Sequence, residues 1–444
     1  MTNWTSRWLA AALAALAMTG VAPAAPDDKP KEAPKAAPAG DDELKETALK
    51  LNSLTSADAM KAKAAELVKD KDASKKLVAV AAKLLKDGGE KDPPFKYNAA
   101  TVLGTVAYNV KDYPSAEVFF TFCLENAEKL QSGKKIAESY AILVEVLNAQ
   151  KKYGKAEEIL KRMLDGGTKE LDELQGDITE QLILTLARSG NTDEAVEKVD
   201  VLIAQMDADK ERKDKYLWVL LKLKGDVYRE GDKLDKAIAL YLEAVEKVRA
   251  AKAFKKSQRE GQARVLEYIL TGLYVDNKQI DESVALLEKL VKEVPESPGY
   301  HNDLGYILAD NDRKLEEAEK LVRKAMELEA GLKKKALEDG RIDEEFAKTE
   351  NAAYLDSLGW VLYKRGQYAA AYKYLDKASQ DPEEGNHLEI WDHVADCLVK
   401  LDKKKEAVAV WTKALKLEDA SKRDIDRRKK VEAKLKKLEA ELAK

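Results

Sequence analysis

Two cysteines in 444 residues cannot build a disulfide framework. Cys123 and Cys397 lie far apart in the chain, each at a position suited to a small apolar core residue. Histidine is scarce too, with three in the chain. Of the three, His387 and His393 lie near Asp392, Asp396 and Cys397, and His393 and Cys397 are four residues apart. Cys397 falls on the inward stripe of its helix and His387 precedes that helix, so no metal site is expected. No G-x4-G-K-[ST], G-x-S-x-G or H-E-x-x-H occurs; the nearest string to the last is HLEIWDH. Carboxylates are so numerous that chance pairs single out no acid–base dyad. The sequence therefore predicts no enzyme, no cofactor and no small-molecule substrate. A basic excess is missing too. Lys and Arg number 77 against 81 Asp and Glu, a net charge of −4, which argues against a nucleic-acid binder.

Long apolar runs are also lacking. The first residues read MTNWTSRWLAAALAALAMTGVAPAAPDD. Arg7 gives a positive start, and Trp8 to Ala17 is an apolar stretch shorter than the roughly 20 residues of a membrane span. Ala22-Pro23-Ala24 is a small-x-small cleavage site. Residues 1–24 thus read as a signal peptide, the chain's only and transient contact with a membrane, and no following cysteine suggests a lipid anchor. Localisation is expected to be periplasmic or extracellular. Residues 25–41 carry Pro26, Pro30, Pro34 and Pro38 at intervals of four and read as a Pro/Ala/Lys-rich disordered linker.

What the chain has is Ala, Leu, Lys and Glu. It is 45% hydrophobic and 36% charged, the composition of an all-helical protein with a large surface. From residue 41 on, apolar positions follow helical spacing and nothing reads as a strand. Residues 354–378, YLDSLGWVLYKRGQYAAAYKYLDKA, place Gly359 inside a helix at a cost of about 1 kcal/mol against alanine. Ala371 follows twelve residues later and Ala378 seven after that. The interval recurs at Gly104/Ala116/Cys123, Gly225/Ala237/Ala244 and Ala395/Ala407/Ala414, and one residue longer at Gly305/Ala318/Ala325. Small residues at matched positions let two helices approach closely, which offsets the lost propensity.

This pattern resembles the tetratricopeptide repeat, a pair of antiparallel helices. Residues 352–385 match through Leu358-Gly359, Gly366, Tyr368, Ala371, Leu375 and Ala378, and residues 388–421 through Trp391, Ala395, Leu398, Ala407, Trp411 and Ala414. Further units fall at 298–332, 264–297 and 218–251, and looser ones at 97–130, 137–170 and 176–209. The resemblance implies an all-α superhelix, or solenoid, of about eight helical hairpins over 97–421. Residues 42–96 read as an N-terminal helical extension or degenerate repeats. Residues 422–444 form a basic amphipathic capping helix with Val431, Leu435, Leu438 and Leu442 on one stripe, and 421–444 offers a route to self-association.

The resemblance also implies a ligand groove on the first helix of each unit. Carried over, its positions are Tyr268, Asn302, Tyr306, Asp356, Trp360, Tyr363, Asp392 and Asp396. In the first unit they are Asn98, Thr101, Thr105, Tyr108 and Asn109. Aromatics with acids suit a basic protein or peptide segment. The expectation is a non-catalytic interaction scaffold in the bacterial cell envelope, with a self-assembling component or an accessory subunit of an envelope enzyme or export complex as alternatives. Capture of a terminal carboxylate is not supported, because Lys222 and Arg229 occur in one unit only.

Overall fold

A computed structural model describes residues 40–88, 93–129, 132–167, 169–381, 384–417 and 422–443. The expected leader at 1–24 and most of the linker lie outside the described residues, which contain no strand. The chain divides into two units, Met1–Lys255 and Lys256–Lys444.

The first unit holds α1 (Asp41–Lys50), α2 (Ala57–Leu67), α3 (Lys71–Asp87), α4 (Tyr97–Asn109), α5 (Tyr113–Lys129), α6 (Gly133–Ala149), α7 (Tyr153–Leu164), α8 (Lys169–Glu173), α9 (Gln175–Arg188), α10 (Thr192–Gln205), α11 (Lys210–Glu230) and α12 (Leu234–Ala250). The second holds α13 (Lys256–Asp276), α14 (Ile280–Glu293), α15 (Pro298–Asp310), α16 (Leu315–Glu338), α17 (Glu344–Lys348), α18 (Ala352–Lys364), α19 (Tyr368–Ser379), α20 (Leu388–Lys400), α21 (Lys404–Ala414) and α22 (Lys422–Leu442). From α4 on, consecutive long helices pair as antiparallel hairpins, and each unit is a helical-repeat stack.

The small residues meet as their spacing implies. A Cβ on Gly359 would stand 3.2 Å from the Ala371 carbonyl oxygen and 2.6 Å from Leu375 Cγ. On Gly225 it would stand 2.7 Å from the Tyr241 ring, and on Gly104 2.9 Å from the Phe120 ring. Ala116, Ala237, Ala318, Ala371 and Ala407 are fully buried. Burying these stripes together with Leu103, Leu160, Leu270, Leu358 and Leu375 supplies the driving force, since each core Leu contributes on the order of 2 kcal/mol.

Every hairpin closes on one turn. A left-handed residue ends the first helix, and the next N–H reaches back five residues to a carbonyl. The left-handed residues are Lys111, Lys151, Gly190, Asp232, Lys278, Asp312, Gly366 and Asp402. The back-bonds include Gln279 N–H to the Tyr274 carbonyl at 2.8 Å and Gln367 N–H to the Leu362 carbonyl at 2.9 Å. A side chain in this conformation costs about 1 kcal/mol or more. Lys278→Gly, at φ 62°, is therefore expected to stabilise the second unit by about 1 kcal/mol, read as a higher urea midpoint. An unchanged or lower midpoint would contradict it.

Segments that depart from the repeat length become extra helix. The polar stretch before residue 264 adds turns at the start of α13, and α16 runs on to Glu338 before α17. There the Lys333 ammonium donates to the Thr349 carbonyl at 2.8 Å. The 42–96 extension forms α1 to α3, and the Asn98 amide of α4 donates to the Leu54 carbonyl at 3.1 Å. No described helix is long and apolar enough to cross a membrane.

Candidate protein-binding face

The first helices of the second unit's hairpins (α13, α15, α18 and α20) share one inner face. All eight expected groove residues stand on these helices. Tyr268 packs on Tyr300 with ring centroids 5.1 Å apart, and its hydroxyl donates to Asp303. The Asn302 amide donates to Asp303 at 3.2 Å. Trp360 stacks on Tyr363 at 4.8 Å and on His393 at 4.0 Å, while its Nε1–H donates to Asp310 at 3.0 Å. The Tyr306 hydroxyl donates to Glu389, two hairpins further on.

The face is covered by the chain's own α22. The Arg423 guanidinium lies 2.6 Å from Asp276 and donates to the Gly272 carbonyl at 3.1 Å, both on α13. Arg427 pairs with Glu389, reaches Asp392 at 3.4 Å and stands 3.4 Å from His393 Nε2. Lys434 bridges Asp392 at 2.8 Å and Asp396 at 2.6 Å. Val431 and Leu438 are buried on the last hairpin, whereas Leu442, expected on the same stripe, is exposed. The terminal helix, expected as a cap, sends its first turns onto the inner face, where its cations meet acids. Asp392 and Trp360, both expected groove positions, are only 3% and 8% exposed there.

Burial and charge oppose one another at this face. Burial acts to lower the His393 imidazolium, but Asp356, 3.0 Å from Nδ1, and Glu389 outweigh it and raise its pKa above the ordinary 6.5, with Arg427 opposing. Burial raises the Glu389 carboxyl, yet Arg427, His393 and the Tyr306 hydroxyl hold it below the usual range. Burial and then Asp392 push Asp396 up, against Lys434. A raised histidine contributes stability that is complete below about pH 6.5 and lost as pH climbs through its folded value. The thermal-midpoint advantage of wild type over His393→Gln is therefore expected to shrink from pH 6 to pH 9. A difference that does not vary with pH would remove His393 as a proton-linked element.

Neither His393 nor Cys397 stands in a metal cluster. The Cys397 thiol donates to the Tyr368 carbonyl at 3.2 Å, and among the described residues no group of three or more potential ligands converges. In the first unit Thr105 is fully buried and so lines no groove. Lys222 and Arg229 both pair with Asp226, at 2.7 and 3.3 Å. Asp226 in turn accepts from the Tyr241 hydroxyl at 2.6 Å.

Sequence reasoning missed Glu389, Asp276 and the cations opposite them, and considered His393 only as a metal ligand. The available signal was the order Arg423, Arg427, Val431, Lys434, Leu438, which repeats at three and four residues along one helix face.

Nested hairpins with glycine-to-alanine contacts define an all-α solenoid of helical repeats. Residues 311–414 match the family described as anaphase-promoting complex, cyclosome, subunit 3. The match lies within the second unit, where the hairpin geometry makes the chain similar to tetratricopeptide-repeat proteins. Among curated proteins no sequence matches it. Among solved structures, a tetratricopeptide repeat protein from Parabacteroides merdae is 12% identical, with TM-score 0.40, over 70% of this chain and 98% of that one. Yeast Tom70 is 12% identical, with TM-score 0.31, over 90% and 97%. The human IFIT1 dimer with m7Gppp-AAAA is 15% identical, with TM-score 0.40, over 90% and 86%. At these scores none of the overlays bears on partners.

Proposed function

We propose that this chain is a non-catalytic scaffold, exported to the bacterial cell envelope, that holds a basic protein or peptide segment on the inner face of its repeats. One observation carries the reading: the second unit's inner face already grips a basic amphipathic helix, α22, through carboxylates beside stacked aromatics. The leader pattern at 1–24 supports export. Self-assembly through 421–444 has less support, since Arg423, Arg427 and Lys434 are engaged within the chain.

The test is photo-crosslinking in living cells. A photoreactive residue at Tyr268, 37% exposed on the inner face, is expected to give discrete protein adducts, and one at Leu242, on the second helix of its hairpin, none. The exported chain should have the mass of a protein starting at Pro/Ala residues after Ala24. Adducts only from Leu242, or none from Tyr268, would overturn the binding face, and an uncleaved chain retained in the cytoplasm would overturn export.

A further inference from the structure

The inner face of the second unit offers two receptors for guanidinium groups. One pairs the Asp276 carboxylate with the Gly272 carbonyl at the end of α13. The other comprises Glu389 and Asp392 on α20, beside the Tyr363–Trp360–His393 stack, with the Tyr306 hydroxyl bound to Glu389. α22 satisfies both with arginines four residues apart, one helical turn, so that they share a face. The attachment is polar at this end. Arg423 is 61% exposed, Arg427 24%, and Ile425 between them is exposed. The aliphatic contacts, Val431 and Leu438, lie in the second half of the helix. The first turns are thus held by polar contacts: the exposed Arg423 pair, which salt screens, the largely buried Arg427 group, and Arg428, which donates to the Leu415 and Leu417 carbonyls. Without α22 the face would present Asp276, Glu389, Asp392 and Asp396 with no cation from that helix.

We infer that α22 is an internal competitor: its arginine-bearing first turns occupy a site for a partner helix carrying two arginines at i and i+4, and they must leave before that helix is seated. This rests on the scaffold reading above and adds its regulation. A site closed by its own terminus binds more weakly in proportion to the fraction of molecules that are open. Rising ionic strength opens it, while the same salt weakens the incoming helix.

The probe is a labelled synthetic peptide of residues 422–442, titrated by fluorescence anisotropy into the full chain and into full-length Arg423→Glu/Arg427→Glu. The variant is expected to bind the peptide at least about tenfold more tightly than wild type, with unchanged far-UV circular dichroism. Hydrogen exchange should show residues 422–430 losing protection in the variant while α20 keeps its own. Glu389→Lys added to the variant should abolish the gain. A folded variant that binds the peptide no better than wild type overturns the proposal and makes α22 a fixed wall. A concentration-dependent dimer that the variant dissociates also overturns it, in favour of helix exchange between two copies. The peptide experiment needs no cellular partner. Exchange with no adduct at Tyr268 would sink the scaffold reading alone, and adducts without exchange would sink the competitor alone.

Discussion

Asp392→Ala is expected to destabilise the second unit by about 3 kcal/mol, lowering its thermal midpoint by roughly 10 °C. Asp392 accepts from the Trp411 indole N–H at 2.9 Å and from Lys434 at 2.8 Å, with Arg427 at 3.4 Å. Alanine leaves a buried indole donor without an acceptor and two cations short of a carboxylate. Removing one member of a buried ionic group costs about 3–5 kcal/mol. The lower end applies because each cation keeps a second acid, Asp396 for Lys434 and Glu389 for Arg427. Asp392→Asn, which still accepts from the indole, should cost roughly 1–2 kcal/mol. Asp396→Asn should cost almost nothing, since burial and Asp392 already disfavour its charged form. Urea unfolding of the three variants checks the order. Equal losses at 392 and 396 would mean that neither carboxylate organises the face.

The hairpins were legible in the sequence because their contacts are local. Gly359 meets Ala371 and Leu375 within sixteen residues, so one interval records both the turn and the close approach. That the eight expected positions stand on the first helices was legible for the same reason, being fixed offsets within each hairpin. What covers them was not. Arg423 meets Asp276 across 147 residues of chain, and no periodicity encodes such a pairing. The acids and aromatics suggested a basic occupant, but a basic stripe on α22 looks the same whether it faces solvent, a partner or the chain itself. His393 was weighed only as a metal ligand, because its neighbours in sequence are acids and a cysteine. Its neighbours in space are Trp360, Asp356 and Arg427. The polar stretches between repeat units extend α13 and α16 because Lys, Glu and Ala continue a helix readily.

Gly305→Ala and Gly331→Ala should change stability in opposite directions, although both exchange glycine for a better helix former inside a helix. At Gly331, on α16, an added Cβ meets nothing within 4 Å. Alanine there gains its full propensity advantage, about 1 kcal/mol. At Gly305 the same atom would stand 2.7 Å from Val322 Cγ2 and 2.9 Å from the Ala318 carbonyl oxygen. Val322 is β-branched and fully buried, and the carbonyl belongs to the backbone of α16, so neither yields without parting the two helices. Overpacking of this kind costs about 1–3 kcal/mol, which at a backbone contact overrides the propensity gain and leaves a loss of about 2 kcal/mol. Chemical denaturation of the full chain, read by circular dichroism, measures both. A stabilised Gly305→Ala would mean that the glycine stripe reflects no close approach, and the nesting of hairpins that builds the inner face would need another cause.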